Sequence, residues 1–279
     1  MTTEIVLMWV ALTGFVVATA MFVFGVTFAK DKLIHRAVLA STLGLVPQIV
    51  ALGLRWARVG HGPYIGYYEV ANGLTLFVVA FFVIAAWRNK RLSAAGIAIM
   101  PVAVLMLGGA MLAPKGGLPL TPNLASYWLF IHVAFANLAF AAFVASFGLG
   151  VAYVLRKRSR SGRWTERLRR LPPQDVVSEL MTRFVLAGFL FWAIMIVSGA
   201  IWANQAWGRY WGWDPIETWS LIVWLIYAVY LHVRFTLGWR GERLAWFAIA
   251  AMPISLFALL GTPIVFNSVH GGYIGGADG

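Results

Sequence analysis

Residues 126–155 read SYWLFIHVAFANLAFAAFVASFGLGVAYVL, and residues 156–173 continue RKRSRSGRWTERLRRLPP. The first stretch contains no Asp, Glu, Lys or Arg. About 20 apolar residues suffice for a helix to cross a hydrocarbon core of roughly 30 Å, so it reads as a membrane span. The second stretch packs eight Lys and Arg behind it, the pattern of a span emerging into the layer that retains cations. The rest of the chain repeats this theme. Hydrophobic residues make up 61% of the 279 and charged residues 11%, against roughly 25% charged in a soluble domain. Mean hydropathy is +0.79.

Hydrophobic runs fall near 4–29, 33–54, 70–87, 93–113, 126–155, 183–203, 219–237 and 244–266, which predicts an all-α polytopic protein of eight transmembrane helices. The first run is too long for a signal-peptide core and is followed by more of the same, so it reads as a retained span. Sorting the 22 Lys and Arg by the intervening loops gives 18 on one side. These are Lys30, Lys32, Arg36, Arg88, Lys90, Arg91, the eight of the run 156–170, Arg183, Arg234, Arg240 and Arg243. The other side keeps four, Arg55, Arg58, Lys115 and Arg209.

That split predicts both termini on the outer, extracytoplasmic side of a cell inner membrane, with loops 55–69 and 114–125 and the tail. The net charge of +12 then belongs to topology and to membrane lipid rather than to nucleic acid. Pro172 and Pro173 stop any helix ahead of the sixth span. They divide the chain into a five-helix part (1–155), a basic cytoplasmic linker (156–182) and a three-helix part (183–279). With no cysteine in the chain, any thiol chemistry belongs to a partner.

Ionisable groups in or beside spans are costly and mark candidate sites. His132 lies near the outer end of the fifth helix, roughly 9 Å below its start. His270 follows the last span in FNSVHGGYIGG, on the same side, among glycines 271, 272, 275 and 276. Between them in sequence stands WGRYWGWDPIETW (207–219), with Trp207, Tyr210, Trp211, Trp213 and Trp219 around Arg209, Asp214 and Glu217. Trp and Tyr also collect at membrane interfaces as belts, and a lone membrane histidine is often a helix-to-helix hydrogen-bonding group. Two histidines on the face of the aromatic cluster favour a flat apolar macrocycle with imidazole-ligated iron, which is haem. Its carboxylates would find Arg209, Arg55 and Arg58. Asp214 and Glu217 would cap the next helix or orient an imidazole proton.

His232, thirteen residues beyond Trp219, sits roughly 20 Å deeper and cannot share an iron with the other two. If it ligates anything, there is a second site in the inner half, where His35 could meet it, although a histidine beside Arg36 at the membrane surface is equally explained by solvation. His61 and Glu69 bracket GHGPYIGYYEVANG, whose glycines a simple turn explains equally well. No hydrolase triad, P-loop, HExxH or dinucleotide pattern is present in a usable context.

WGRYWGWDPIETWSLIVWLIYAVYLHVR resembles the tryptophan-rich WWD segment of haem-handling proteins in cytochrome c assembly, and most closely the CcsA (ResC) type of the System II pathway. YWLFIHV resembles the segment bearing that family's first external haem-ligand histidine, NSVHGGY occupies the place of the second, and GHGPYIGYYEVANGL is similar to its first outer loop. The resemblance implies that His132 and His270 flank an external haem b, bound transiently and non-covalently over Trp207 to Trp219. It implies that His232 is one ligand of an inner haem whose other ligand comes from a CcsB (ResB)-type membrane partner. It further implies that the complex exports haem and joins its vinyl groups to the cysteines of a CxxCH segment in apocytochrome c, so that this chain is part of a cytochrome c synthase. Ile216 stands where the family usually has Lys, and HGGYIGG differs from its usual ending. Two other functions fit the residues alone: a haem-containing electron-transfer subunit, and a transporter of another amphipathic solute.

Overall fold

The structure, a computed structural model, describes residues 1–28, 30–117, 120–158 and 173–270. Eight helices long and apolar enough to span a membrane account for nearly all of them, and no strand occurs among the described residues. In chain order they are α1 (Thr2–Thr27), α2 (Asp31–Val59), α3 (Tyr67–Arg88), α4 (Gly96–Leu112), α5 (Tyr127–Arg158), α6 (Gln174–Trp207), α7 (Pro215–Phe235) and α8 (Glu242–Leu256). A 3₁₀ turn, Lys90–Ala95, leads into α4, and a π turn, Phe257–Gly261, carries α8 on to Val265.

Helix ends follow local chemistry. The Asn89 side chain accepts the Arg91 N–H (3.1 Å) to start the 3₁₀ turn, and Pro173 stands at the N-cap of α6. Pro47, Pro101 and Pro253 lie inside helices, which buried neighbours tolerate in membrane bundles. Hydropathy underestimates two helices that continue through polar residues. α6 begins at Gln174 rather than near 183, and α2 runs on to Val59, so Arg55 and Arg58 are helical rather than loop residues. Residues 159–172 of the basic run, and the glycines after His270, lie outside the described residues.

Two large apolar clusters dominate the interior among the described residues. One gathers Phe15, Phe22, Phe82, Leu107 and Phe140 from α1 to α5, together with Met181 of α6 and Met252 of α8. The other gathers Phe143, Trp192, Tyr227 and Tyr230 from α5, α6 and α7. They meet along α5, the most enclosed span, which packs most extensively on α6 and also touches α3, α4 and α8. Lys157 of α5 donates to Glu242 at the start of α8. The five-helix and three-helix parts of the sequence therefore share one central helix.

The outward faces of α1, α2 and α6 leave Val10, Val17, Phe24, Leu39, Leu43, Val46, Leu186, Leu190 and Val197 exposed. Apolar residues at such helical spacing on a surface suit hydrocarbon rather than water. The chain is a multi-pass membrane protein. One end of the bundle gathers the N-terminus, residues 60–66, 113–117, 120–126 and 208–214, and residues 266–270, and the candidate site is built there.

Candidate functional site

A cavity of about 130 Å³ opens at that end, lined by His132, His270, Tyr210, Trp211, Ile216 and Glu217 and walled by α3, α5 and α6. Leu129, His132, Val133 and Ala136 of α5 all line it, at the spacing of one helical face. His132 reaches α6, where its Nδ1 lies 2.8 Å from the Met195 carbonyl oxygen. A carbonyl only accepts, so Nδ1 carries the proton and Nε2 keeps its lone pair. The ring fits because residue 199 is glycine. A Cβ there would stand 2.5 Å from His132 Nδ1.

His270 is fixed by the Trp-rich loop. Its Nδ1 lies 3.0 Å from Asp214 Oδ2, so Nδ1 donates to the carboxylate and Nε2 is the ring nitrogen left for another partner. The same carboxylate accepts the Ser268 hydroxyl (2.6 Å), the Val269 N–H (2.9 Å) and the Ile216 N–H (3.1 Å). Burial alone would raise the Asp214 carboxyl, but the bonds from His270, Ser268 and Val269 outweigh it and hold the group well below the usual carboxylate range. Asp214 thus does both things the sequence offered for it: it caps α7 and orients an imidazole.

Glu217 completes the cap. Its Oε2 accepts the Gly212 N–H (2.7 Å) and the Asp214 N–H (3.2 Å), the back-reaching half of a capping box. Its Oε1 is buried without a partner among the described residues, and the residue lines the cavity.

The aromatic residues divide by place. Tyr210 and Trp211 line the cavity. Trp207 ends α6, where Gly208 takes the left-handed φ of 75° that closes the helix, and its ring meets His270 edge-on at 4.7 Å. Trp213 points outward, 69% exposed, and stands against Trp211 at 5.7 Å. Its φ of 57° is a left-handed conformation in which a bulky residue is strained. Trp219 packs away from the cavity, against Phe257 at 4.8 Å.

Of the three arginines expected to meet carboxylates here, two are committed elsewhere. Arg55 is buried and donates to Glu69 Oε1 (2.6 Å) and to the Lys115 and Gly116 carbonyls (3.1 Å each). Arg58 forms a two-bond pair with Glu4 (2.7 and 2.9 Å). Arg209 is exposed, lies over Gly212 and pairs with no carboxylate among the described residues. The turn at 60–66 holds more than a bend. His61 is buried with its Nδ1 2.8 Å from the Gly62 carbonyl oxygen, and Glu69 Oε2, 3.6 Å from that nitrogen, accepts the Ile65 N–H (3.1 Å). This places Tyr64 in the cavity wall.

His232 sits far from the cavity, on the exposed face of α7 near its other end, 3.4 Å from the Thr236 hydroxyl. His35 stacks edge-on against Trp87 at 5.4 Å, in a cleft that His232 does not line.

Sequence reasoning missed Trp192 and Trp202, which line the cavity and donate their indole N–H to the Ser220 carbonyl (2.9 Å) and the Asn123 carbonyl (2.8 Å). Asn137, also in the lining, keeps its Oδ1 buried and without a partner among the described residues. Its place one turn beyond Val133 on the cavity face of α5 was the available signal; the tryptophans looked like ordinary span residues.

The site end of the chain also carries its likeness to known proteins. The family described as Cytochrome C assembly protein matches residues 64–270. "Cytochrome c biogenesis protein CcsA" of Prochlorococcus marinus (strain NATL1A) is 34% identical over 265 residues, 84% of this chain and 82% of that protein. Its counterpart in Chlamydomonas reinhardtii is 32% identical over 228 residues, covering 80% of this chain and 64% of that one. Among solved structures, "Cytochrome c Heme Lyase CcmF" shares the fold with a TM-score of 0.65 at 17% identity, over 96% of this chain; the chain spans about half (47%) of the length of CcmF. A family match that runs from the first wall of the cavity to His270 settles the kinship: this chain belongs to the cytochrome c assembly protein family and is a membrane protein of cytochrome c assembly.

Proposed function

We propose that the chain receives haem b, holds it transiently and non-covalently between His132 and His270 on the extracytoplasmic side of the cell inner membrane, and presents it to apocytochrome c. One observation carries this reading. Two imidazoles line one cavity, and each has its Nδ1 engaged by an acceptor, so each has its Nε2 left to meet a metal. Ligating histidines ordinarily donate their other N–H to a carbonyl or carboxylate in this way. Tyr210 and Trp211 supply the ring contacts, Arg209 the cation for a propionate, and Trp202 and Trp207 the surroundings of His270. At about 130 Å³ the cavity is a slot, and the Trp-rich loop must move outward for a macrocycle to occupy it.

The chemistry left to this chain is positioning, which raises effective concentration at the reacting edge. Each thioether forms by adding a substrate S–H across a haem vinyl group, with no net redox change. All thiols come from the apocytochrome, in keeping with a chain that has no cysteine. The exposed setting of His232 on α7 suits an inner haem whose second ligand is supplied from outside this chain. A CcsB (ResB)-type membrane protein is the partner that completes it, and together the two chains act as the cytochrome c synthase.

The test is an absorption spectrum of the chain purified with that partner, oxidised and reduced, for the native sequence, His132→Ala and His270→Ala. Bis-imidazole ligation gives a sharp reduced α-band that either substitution weakens, with maturation of a reporter cytochrome c lost alongside. A Soret band untouched by both substitutions would overturn the assignment.

A further inference from the structure

At the end of the bundle away from the histidine cavity lies a second concavity, of about 950 Å³, between the start of α2, the end of α3 and the 3₁₀ turn Lys90–Ala95. Among the described residues Lys32, Arg36, Lys90 and Arg91 line it, with Asp31 and Arg156 beside them. Four cations set together in this way repel one another unless counter-charge is bound. Deeper in, the lining is apolar, and its most prominent member is Trp87. That indole is fixed across the α2–α3 seam. It donates its Nε1–H to Thr42 Oγ1 of α2 (3.0 Å) and stands edge-on to His35. Beyond it, Leu39 and Leu43 of α2 and Ile84 of α3 continue as exposed apolar surface toward the middle of the bundle.

A cationic mouth, an indole at the interface and an apolar trough running into the hydrocarbon zone match one class of ligand. We propose that this cleft binds an acidic phospholipid with two phosphates in its headgroup, of the cardiolipin type. The phosphates sit among Lys32, Arg36, Lys90 and Arg91, and an acyl chain lies along Leu39, Leu43 and Ile84. Charge selects the headgroup, since one phosphate would leave most of the lining uncompensated. The trough selects a lipid over a free anion, because inorganic phosphate has nothing to place against exposed leucines in a membrane. Basic clefts between spanning helices are established settings for such headgroups. The proposal is independent of the haem reading, since no residue of the cleft lines the histidine cavity.

The experiment uses the full chain in nanodiscs of dioleoyl phosphatidylcholine containing trace tetraoleoyl cardiolipin, with bound lipid quantified after purification. Lys90→Gln/Arg91→Gln is compared with Arg88→Gln/Arg240→Gln, which removes the same charge from exposed positions outside the cleft. Each cation near an anionic lipid surface is worth roughly fivefold, so the cleft variant should retain cardiolipin about twentyfold more weakly and the control within about twofold of native. Trp87→Leu should weaken retention with all charges in place. Equal losses in the two double variants would reduce the effect to net charge and overturn the proposal. Competition by inorganic phosphate or glycerol phosphate at comparable concentration would assign the cleft to a soluble anion and overturn it too. Haem in place of lipid, displaced by Lys90→Gln/Arg91→Gln and read as a lost Soret contribution, would do the same. Unchanged tryptophan-fluorescence melting shows that each variant is folded.

Discussion

At the scale of single residues, Asp214 carries more of the site than either histidine. One carboxylate caps α7, receives the Ser268 hydroxyl and the Val269 N–H, and holds His270. Asp214→Asn keeps the size but loses the charge and one acceptor. Asn caps a helix about as well as Asp, so the start of α7 should hold, but His270 is loosened, so that the external haem band shared with His132 falls while absorbance of the inner haem persists. Spectra of the single and double variants with His132→Ala check this, and a double variant no worse than His132→Ala would mean the two histidines act together. The acid sensitivity follows from the sign of the shift. A carboxyl depressed on folding stabilises above its unfolded value, about 3.9, and that contribution is lost only as pH falls through the lower folded value. The cap therefore holds across the neutral range, and loss of the site near pH 6 would implicate some other group. Trp213 is the opposite kind of residue, strained at φ 57° and exposed. Strain of this sort costs of order 1–3 kcal/mol. Trp213→Gly is expected to raise the stability of the purified chain by about 1 kcal/mol while lowering cytochrome c maturation, measured by thermal unfolding and a reporter cytochrome. Stability gained with maturation intact would leave the exposed indole without a functional role.

At the scale of elements, helices were legible in the sequence and their joints were not. Hydropathy locates all eight spans because burial in hydrocarbon demands it. It is blind to a helix that continues through polar residues, such as the first turns of α6, where Glu179 and Arg183 pair four residues apart. It is equally blind to which distant residue a charge will meet. Arg58 and Glu4 are 54 positions apart, and Arg55 and Glu69 are 14 apart, so Arg55 and Arg58 looked available when each was already paired. The two histidines and the Trp-rich loop could be read because membrane sidedness groups distant segments at one face. Trp192, Trp202 and Gly199 could not, since their roles depend on how α6 packs against α5. The Arg55–Glu69 pair now appears as the fastening of the first outer loop, linking α2, α3 and the chain after α4. Removing one member of a buried pair strands the other charge and costs about 3–5 kcal/mol. Glu69→Gln should accordingly lower the melting temperature clearly in detergent, and by freeing the Ile65 N–H it should shift Tyr64 out of the cavity wall. A variant that melts like the native chain would show the pair to be solvated in the membrane-embedded protein.

At the scale of the whole molecule, the function depends on which way the bundle faces. The structure collects the histidine cavity, the 60–66 turn and the Trp-rich loop at one end, and the cleft of Lys32, Arg36, Lys90 and Arg91 at the other. The distribution of 18 cations against four predicts an outward-facing cavity by the positive-inside bias, and the reading of haem presentation to an extracytoplasmic apoprotein stands or falls with that orientation. Because the chain has no cysteine, single introduced thiols report sidedness without background. Ala125→Cys lies on exposed chain at the cavity end, and Thr236→Cys is exposed at the other. Intact cells treated with a membrane-impermeant maleimide should label Ala125→Cys and spare Thr236→Cys, with both labelled after permeabilisation. The reverse pattern would turn the cavity to the cytoplasm. His132 and His270 would then meet haem where it is made rather than where cytochrome c is assembled, and the site would be one of loading instead of delivery.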